Sequence, residues 1–404
     1  MTDKPERPET PRVDRRKFLA AAALPFAAAA IAPAAAAVAQ TNSASGGTSS
    51  ARPGDIRIGI IGAGATIQSN QIPGFRRIPG CEIVAIANRS LASSKRVTDK
   101  FGIPRPYANW KELLADDDID AISIGTWPYM HAIMTEAALE SGKHVLCQAR
   151  MANNAAEARQ MLDASRRHPH LVSQLVPMSQ SYWQDNVLKR LIGEGYVGEV
   201  LSVEMQRLQT GRAQLTGPGG FADIGGPLSW RQQQEFSGYN ALNVGQTYEA
   251  AMRWLGRGTR VMAMSKIHVP YRRAADGQMT SVEVADHLDI LYELANGAQV
   301  HLRISATTGL STGDQTWIYG TEGTIFADRE RNIFAGKRGD TQLSRVANPE
   351  KDQAKYRVEE EFINAIRGVE EVTMNTFETG AHYMEFVEAV YRSSKLGQAV
   401  YLPL

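Results

Sequence analysis

The segment IRIGIIGAGATI, residues 56–67, decides the fold. Its apolar run Ile56–Ile61 is typical of a buried strand, and a glycine-rich turn and a helix-length segment follow it. A second apolar run, EIVAIANR at residues 82–89, completes a β-α-β unit. In such a unit Gly62 allows the tight turn, and Gly64 lets the backbone approach a pyrophosphate at the positive end of the helix. The segment therefore predicts a dinucleotide site.

The usual glycine fingerprint is incomplete in this turn. Ile67 replaces the third glycine, so a buried strand followed by an ordinary glycine-rich turn is the alternative interpretation. Under the nucleotide interpretation, a diphosphate lies over the backbone that follows Ile61. That interpretation assigns cofactor contacts to Gly62, Gly64, Ala65, Thr66 and Ile67.

The end of the second strand bears on the ribose of the nucleotide. An NAD site usually has Asp or Glu there, which accepts a hydrogen bond from the ribose 2′-OH. Here the strand ends in Asn88 and Arg89. A missing carboxylate together with a guanidinium favours a 2′-phosphate, and therefore NADP over NAD. Arg89 could equally stack on an adenine or face solvent, so NADP and NAD both stay open.

Composition limits the classes of protein that need to be considered. The chain has 404 residues, 43% hydrophobic and 22% charged, with a formal net charge of +1. These values fit a soluble protein of two domains and give no support for nucleic-acid binding. Cys81 and Cys147 fall in predicted strands without His or Cys at ligand spacing, so we expect buried free thiols and no metal site.

The N-terminus predicts export. Arg15 and Arg16 precede an alanine-rich apolar run that two prolines interrupt, and a small-x-small cleavage site follows at residues 37–39. These features favour a cleaved twin-arginine signal, residues 1–39, over a membrane anchor, and residues 40–54 form a polar linker. Because the twin-arginine route carries folded proteins, we expect a periplasmic protein that leaves the cytoplasm with its cofactor and keeps no stable membrane anchor.

Apolar runs alternate with helix-period segments up to residue 175. This pattern predicts a doubly wound parallel sheet in a Rossmann domain, residues 55–175, whose ligands bind at the carboxyl ends of the strands. Further cofactor contacts are therefore expected from Thr126, Trp127, Pro128, His131 and Gln148.

The pattern changes after residue 175. Strand-like runs of period two and hairpin turns at Asn296-Gly297 and Glu322-Gly323 predict a second domain, residues 176–404. We expect an α+β domain with a large, open, mostly antiparallel sheet. An amphipathic helix is predicted from about His382 to Lys395.

Several stretches together resemble the Gfo/Idh/MocA oxidoreductases, and the twin-arginine layout is similar to that of glucose–fructose oxidoreductases. The resemblance implies a Rossmann domain joined to a domain with an open sheet, and homo-oligomers, commonly dimers or tetramers. It rests on residues 56–64, 88–89, 126–131, 142–145, 237–256, 319–323 and 393–403.

The chain departs from this family where the chemistry is expected. The family motif Glu-Lys-Pro, whose lysine assists proton transfer, is replaced by Gln148-Ala149-Arg150. The motif Asp-x-Gly-x-His is replaced by Asn243 to Thr247. Alcohol oxidation by hydride transfer also requires a base, which is worth about 10² to 10⁴ in rate. The catalytic candidates are Tyr248, Arg150, Asn243 and Thr247; weaker ones are Tyr239, Tyr182, Trp183, Trp230, Arg231 and His287.

Three functions follow from these observations. The first is an exported NAD(P)-dependent oxidoreductase that acts on a sugar or cyclitol and recycles a tightly bound cofactor. The second is a glycoside hydrolase or lyase that oxidises and reduces the sugar within one cycle, without net cofactor turnover. The third is a non-catalytic sugar-binding protein that has lost its catalytic groups.

Overall fold

The computed structural model describes residues 55–178, 181–208, 222 and 225–404. The predicted signal peptide and linker, residues 1–54, lie outside the described residues. The predicted domain boundary after residue 175 coincides with the end of the strand Ser173–Leu175.

The first part of the chain forms a parallel sheet. Its strands are β1 (Ile56–Ile61), β2 (Cys81–Ala87), β3 (Arg105–Tyr107), β4 (Ala121–Ile124), β5 (His144–Cys147) and β6 (Ser173–Leu175). Their order is β3-β2-β1-β4-β5-β6, with parallel pairing throughout. The predicted doubly wound sheet is confirmed. Because the strand order reverses between β1 and β4, a crevice opens at their carboxyl ends.

Helices with identifiable caps connect these strands. The side chains of Ser90, Asn109 and Asn154 accept hydrogen bonds from backbone amides at the starts of the helices that follow them in the chain. The first connection, α1, begins as a π turn (Ile67–Gln71) and continues as an α-helix (Ile72–Arg76). The others are α2 (Leu91–Phe101), α3 (Trp110–Leu114), α4 (His131–Glu140) and α5 (Ala155–Arg167).

The second part of the chain forms the large sheet. Its strands are β7 (Val200–Leu208), β8 (Gly258–Lys266), β11 (His287–Leu294), β12 (Gln299–Ser305), β13 (Gln315–Gly320), β14 (Gly323–Ala327), β15 (Ile333–Lys337), β16 (Ser344–Val346) and β17 (Val400–Tyr401). A separate hairpin holds β9 (Tyr271–Arg273) and β10 (Met279–Ser281). The order in the large sheet is β16-β15-β14-β13-β7-β12-β11-β8-β17, and β7 with β12 is its parallel pair.

The large sheet confirms the predicted mostly antiparallel architecture. Both predicted hairpins are present, β11 with β12 around Asn296-Gly297 and β13 with β14 around Glu322-Gly323. Along β11, Leu288, Ile290, Tyr292 and Leu294 are buried in alternation. One face of the sheet therefore packs on the core. The helices of this part are α6 (Tyr182–Gly193), α7 (Gln234–Ser237), α8 (Val244–Leu255), α9 (Val358–Ile366) and α10 (Phe377–Leu396).

The helix predicted near the C-terminus, α10, starts earlier than its sequence pattern indicates. Thr376 caps it by accepting from the amide of Thr379, and the early Gly380 weakens the helical signal. A Cβ at Gly380 would lie 2.2 Å from Leu175 Cδ1, so close packing on the parallel sheet requires glycine there. No helix within the described ranges combines the length and apolar character needed to span a bilayer.

The helix α9 was not predicted from the sequence. Its buried residues Val358, Phe362 and Ile363 belong to the same hydrophobic cluster as Ile58 and Phe75. The Phe75 and Phe362 rings meet edge to face at 6.5 Å between centroids. The chain therefore returns to the parallel sheet after it has built the large sheet.

Candidate active site

The glycine turn after β1 has the geometry of a diphosphate cradle. Gly62 has φ +84°, and a Cβ there would lie 2.7 Å from the amide nitrogen of Thr126. A Cβ at Gly64 would meet no atom within 4 Å, so this backbone faces open space. Ala65 and Thr66 are exposed at the start of α1. Backbone amides at a helix start can therefore approach a phosphate here.

The structure corrects the assignment of Ile67 to the cofactor. Ile67 is buried under the turn that follows β4, where a Cβ at Gly125 would lie 2.2 Å from Ile67 Cγ1. In the usual fingerprint the third glycine permits close packing of helix and strand. Here Gly125 provides that space from the opposite side, so Ile67 packs inward and leaves the cleft open.

The cleft above this turn has a volume of ≈ 820 Å³, within the size range of ligand sites. The carboxyl ends of β1, β2 and β4 form its walls. Asn88 does not project a free amide into it, because its Oδ1 accepts from the Ala63 amide at 2.8 Å and its Nδ2 donates to the Ser93 carbonyl. Asn88 therefore fixes the glycine turn against the second strand.

A cationic wall of Arg89, Arg96 and Lys100 lines one side of the same cleft. Of these three residues, the sequence pattern indicated only Arg89. Arg96 and Lys100 lie four residues apart on α2, so they share one helix face. That spacing, directly after the second strand, is the signal that could have identified them.

The turn after β4 forms the opposite wall. Thr126 and Trp127, which are predicted to contact the cofactor, line the cleft together with Tyr129, Met130 and Met134. Pro128 is buried beneath them at the start of a short 3₁₀ turn, so it shapes the wall without lining the cavity.

His131 lies behind this wall. It is 1% exposed, with Nδ1 2.9 Å from the carbonyl oxygen of Arg150 and Nε2 3.1 Å from that of Thr126. Burial lowers the pKa of His131. The predicted cofactor contact is therefore corrected: His131 is buried, and its two ring nitrogens lie against carbonyl oxygens of the turns after β5 and β4.

The turn after β5 carries Gln148, Ala149 and Arg150. The amide of Gln148 donates to the carbonyl of Ile124 at 3.0 Å, and its buried Nε2 makes no hydrogen bond to the part of the chain that is described. An unsatisfied buried amide is suited to meet a ligand. Arg150 is 7% exposed and lines a small enclosed cavity of ≈ 20 Å³ with Arg231 and Arg272.

The start of α8 brings Asn243 and Thr247 onto one face. Both are buried, at 3% and 1% exposure, and Thr247 Oγ1 has no hydrogen-bond partner among the described residues. Thr247 lines a separate cavity of ≈ 200 Å³ with Trp183.

Tyr248, the next residue on α8, points away from both cavities. Its ring stacks on Phe386 at 3.7 Å between centroids, and its hydroxyl accepts from the Gly258 amide at 2.8 Å. Burial raises the pKa of Tyr248 to about 12. The structure therefore corrects the catalytic assignment of Tyr248, because neighbouring positions on a helix face different directions.

Comparison with known proteins identifies the family. The profile of the oxidoreductase family with an NAD-binding Rossmann fold matches residues 56–175. The profile of the GFO/IDH/MocA C-terminal domain matches residues 186–326. The chain belongs to the Gfo/Idh/MocA oxidoreductase family. The predicted family and the prediction of an NAD-binding oxidoreductase are both confirmed.

Individual members of the Gfo/Idh/MocA family share only part of their sequence with this chain. Levoglucosan dehydrogenase of Pseudarthrobacter phenanthrenivorans is 27% identical over 304 residues, which are 69% of this chain and 74% of the relative. The trans-1,2-dihydrobenzene-1,2-diol dehydrogenase of Bos taurus is 30% identical over 153 residues, 37% of this chain and 45% of that enzyme. The solved structure of a levoglucosan dehydrogenase with NADH and levoglucosan superposes with a TM-score of 0.74 at 22% identity, covering 87% of this chain and 100% of that one.

The weaker catalytic candidates that the sequence offers lie in different parts of the Gfo/Idh/MocA fold. Trp183 lines the cavity of Thr247. Tyr182 lies over the Arg253 guanidinium, and Tyr239 stacks on Tyr391. Trp230 stacks on Trp127 at 5.8 Å between centroids, and Arg231 lies over Trp230. His287 bonds to Ser305 and Asp289 on the outer side of the large sheet, as expected for a structural histidine.

Proposed function

We propose that this protein is an exported NAD(P)-dependent oxidoreductase that acts on a sugar or cyclitol with a retained, internally recycled cofactor. The cleft carries the proposal: an open glycine turn at a helix start lies opposite a wall that can hold the adenosine end of a nucleotide. The name of the levoglucosan dehydrogenase relative supports a carbohydrate substrate.

The cationic wall supports NADP as the cofactor. Arg89, Arg96 and Lys100 line the cleft where the second strand ends, which is the position of the ribose in this fold. A 2′-phosphate carries a charge and several acceptor oxygens, whereas a 2′-OH requires an acceptor. Asn88 Oδ1, the candidate acceptor, already accepts from the Ala63 amide.

The test of this proposal begins with the mature chain purified from the periplasm. We expect mass spectrometry to find bound NADP, and we expect the fluorescence of the reduced nicotinamide to change when sugars are added in turn. A mature chain that contains no nucleotide, and binds none that is added, would contradict the proposal. Export is tested by changing Arg15 and Arg16 to lysine, which we expect to keep the protein in the cytoplasm.

A redox-cycling hydrolase or lyase is the second candidate, because Ala149, Asn243 and Thr247 cannot titrate as the family groups do. Such an enzyme would release nitrophenol from a nitrophenyl glycoside with no net change in NAD(P)H. Release that occurs only with accumulation of NAD(P)H would favour the simple oxidoreductase. A protein that binds sugar and shows neither outcome would be the non-catalytic binding protein, and restoring Lys, Asp and His at these positions would then create turnover.

The outer face of the large sheet supports a homo-oligomer. Met262, Met264 and Leu291 are exposed by 52%, 79% and 55%, and Met262 lies directly opposite Leu291 across the strands β8 and β11. Farther along this face Trp317 stacks on Phe326 at 4.0 Å between centroids. An apolar face of this extent is typical of an interface between copies.

A further inference from the structure

The cavity of ≈ 200 Å³ that contains Thr247 lies between the two sheets. Met178, three residues after β6, lines it from the carboxyl end of the parallel sheet. Arg207 on β7 and Thr316 on β13 line it from the buried face of the large sheet. Residues from the carboxyl end of the parallel sheet and from the buried face of the large sheet therefore meet at this cavity.

Arg207 is a buried cation without a carboxylate in contact. It is 6% exposed, and within the described ranges no carboxylate oxygen lies within 4.0 Å of its nitrogen atoms. Nη1 donates to the carbonyls of Gln206 and Gln315, at 2.8 and 3.0 Å, and Nη2 donates to Thr316 Oγ1 at 3.2 Å. These acceptors are all neutral. A buried charge is normally paired, because its desolvation is costly.

Two N–H donors of Arg207 are not used in these three hydrogen bonds. Of the five N–H groups of a guanidinium, three are used by the neutral acceptors, which leaves Nε–H and one Nη2–H. Nε and Nη2 are neighbouring nitrogens of the planar group, and such a pair of nitrogens can donate to the two oxygens of one carboxylate.

A second observation independently indicates a polar ligand in the same cavity. Thr247 Oγ1 is buried and lacks a hydrogen-bond partner among the described residues. At the cavity rim, Arg329 and Arg331 add positive charge. Asp328 also lies on the wall, but its two carboxylate oxygens accept from the amide and Nδ2 of Asn332 at 2.8 and 3.0 Å.

We propose that this cavity binds a carboxylate group of the substrate, so that the protein acts on a sugar acid rather than a neutral sugar. The inference rests on the proposed oxidoreductase function. Arg207 holds the carboxylate from the buried side, and Thr247 donates its hydroxyl to the same group or to a neighbouring ring hydroxyl. Asp314, which also lines the cavity and interacts electrostatically with Arg207, partly offsets the positive charge of the site.

Matched sugar pairs test this inference on the nucleotide-loaded protein. D-glucuronate and D-galacturonate are titrated against D-glucose and D-galactose, with the fluorescence of bound reduced nicotinamide as the readout. We expect the acids to bind at least about 10-fold more tightly, because the neutral parents leave the buried cation unpaired. The preference should decrease as ionic strength rises.

Variants of Arg207 locate the effect. Arg207→Gln should weaken binding of the acids by about 10- to 100-fold and so reduce their preference over the neutral sugars, and Arg207→Lys should lie between. Arg190→Gln, an exposed arginine on α6, is the control and should change neither. If the Arg207 variants do not retain nucleotide, Arg331→Gln at the rim should lower affinity for the acids by about 2- to 5-fold.

The outcomes separate the two proposals. Neutral sugars that bind as well as the acids, an unchanged preference in the folded Arg207 variants, or tighter binding of glucose 6-phosphate than of glucuronate would overturn the carboxylate inference and leave the oxidoreductase standing. If neither acids nor neutral sugars perturb the bound nucleotide, the proposed function fails and this inference fails with it.

Discussion

Two glycines in the first turn carry different constraints at the scale of single residues. Gly62 is required by its positive φ and by the nearby Thr126 amide, so a side chain there would disrupt the fold. Gly64 has neither constraint, because its Cβ would point into open space. Under the proposed function, the diphosphate of the nucleotide is what requires glycine at position 64.

Gly64→Ala separates these roles. We expect the affinity for nucleotide to fall by at least about 10-fold, while the free energy of unfolding changes by less than about 1 kcal/mol. Nucleotide titration and urea unfolding measure the two quantities. Gly193→Ala, another site where a Cβ meets no atom within 4 Å, is the control and should affect neither. Unchanged affinity in Gly64→Ala would place the diphosphate elsewhere.

The cationic wall makes a prediction about cofactor selectivity. Arg96→Gln combined with Lys100→Gln should weaken NADP binding by about 10- to 100-fold and leave NAD binding nearly unchanged, because only the 2′-phosphate requires these charges. Isothermal titration with both nucleotides measures the ratio. Lys95→Gln, on the same helix but paired with Asp99 and outside the cleft lining, serves as control. An equal loss of affinity for NAD and NADP would show that these residues do not bind the 2′-phosphate.

At the scale of elements, the contact between α1 and the end of β4 depends on a complementary pair. Ile67 occupies the space that Gly125 leaves. Gly125→Ala should lower the free energy of unfolding by about 1–3 kcal/mol through overpacking. Combining it with Ile67→Ala should cost less than the sum of the two single changes, since each relieves the other. Urea unfolding of the four proteins gives the coupling, and strict additivity would contradict the proposed contact.

The docking of α9 makes stability depend on pH. Burial raises the pKa of Glu359 from 4.5 to about 7. The folded state therefore binds the proton of the Glu359 carboxyl more tightly than the unfolded state does. The stabilisation that this protonation contributes is largest below pH 4.5 and declines as the pH rises to about 7. At about 1.4 kcal/mol per pH unit, the decline amounts to about 3 kcal/mol.

Glu359→Gln should remove this decline and raise stability at pH 8. Urea unfolding between pH 4.5 and 8 measures the dependence. Glu371→Gln changes an exposed glutamate nearby and should leave the profile as it is. A profile for Glu359→Gln that matches that of the unaltered protein would show that Glu359 is not the titrating group.

At the scale of the whole molecule, the proposed assembly through the outer face of the large sheet can be tested by substitution. Met264→Glu together with Leu291→Glu should shift the protein from an oligomer to a monomer, because charges would be buried in the interface. Light scattering measures the molar mass. Leu310→Glu, which is 82% exposed outside the strands, is the control. An oligomer that survives the double substitution would place the interface on another surface.

The amino-acid pattern was sufficient for the parallel sheet, the hairpins of the large sheet and the glycine turn. The period of the apolar residues, the turn residues and the β-α-β spacing are local properties. They predicted β1, β2, β4 and β5 correctly. The early start of α10 and the existence of α9 were missed. Both depend on distant partners, Leu175 for Gly380 and Phe75 for Phe362, which local propensity does not contain.

The direction of each side chain was decided by tertiary packing alone. Ile67, His131 and Tyr248 lie in or beside the predicted site stretches, yet all three point into the core. Arg96, Lys100 and Arg207 carry no motif, yet the fold brings them to cavities. A linear pattern specifies which chain segments end at the crevice, because strand ends are local features. Which side chain faces a ligand depends on the space left by elements far away in the sequence, and only the assembled sheets define that space.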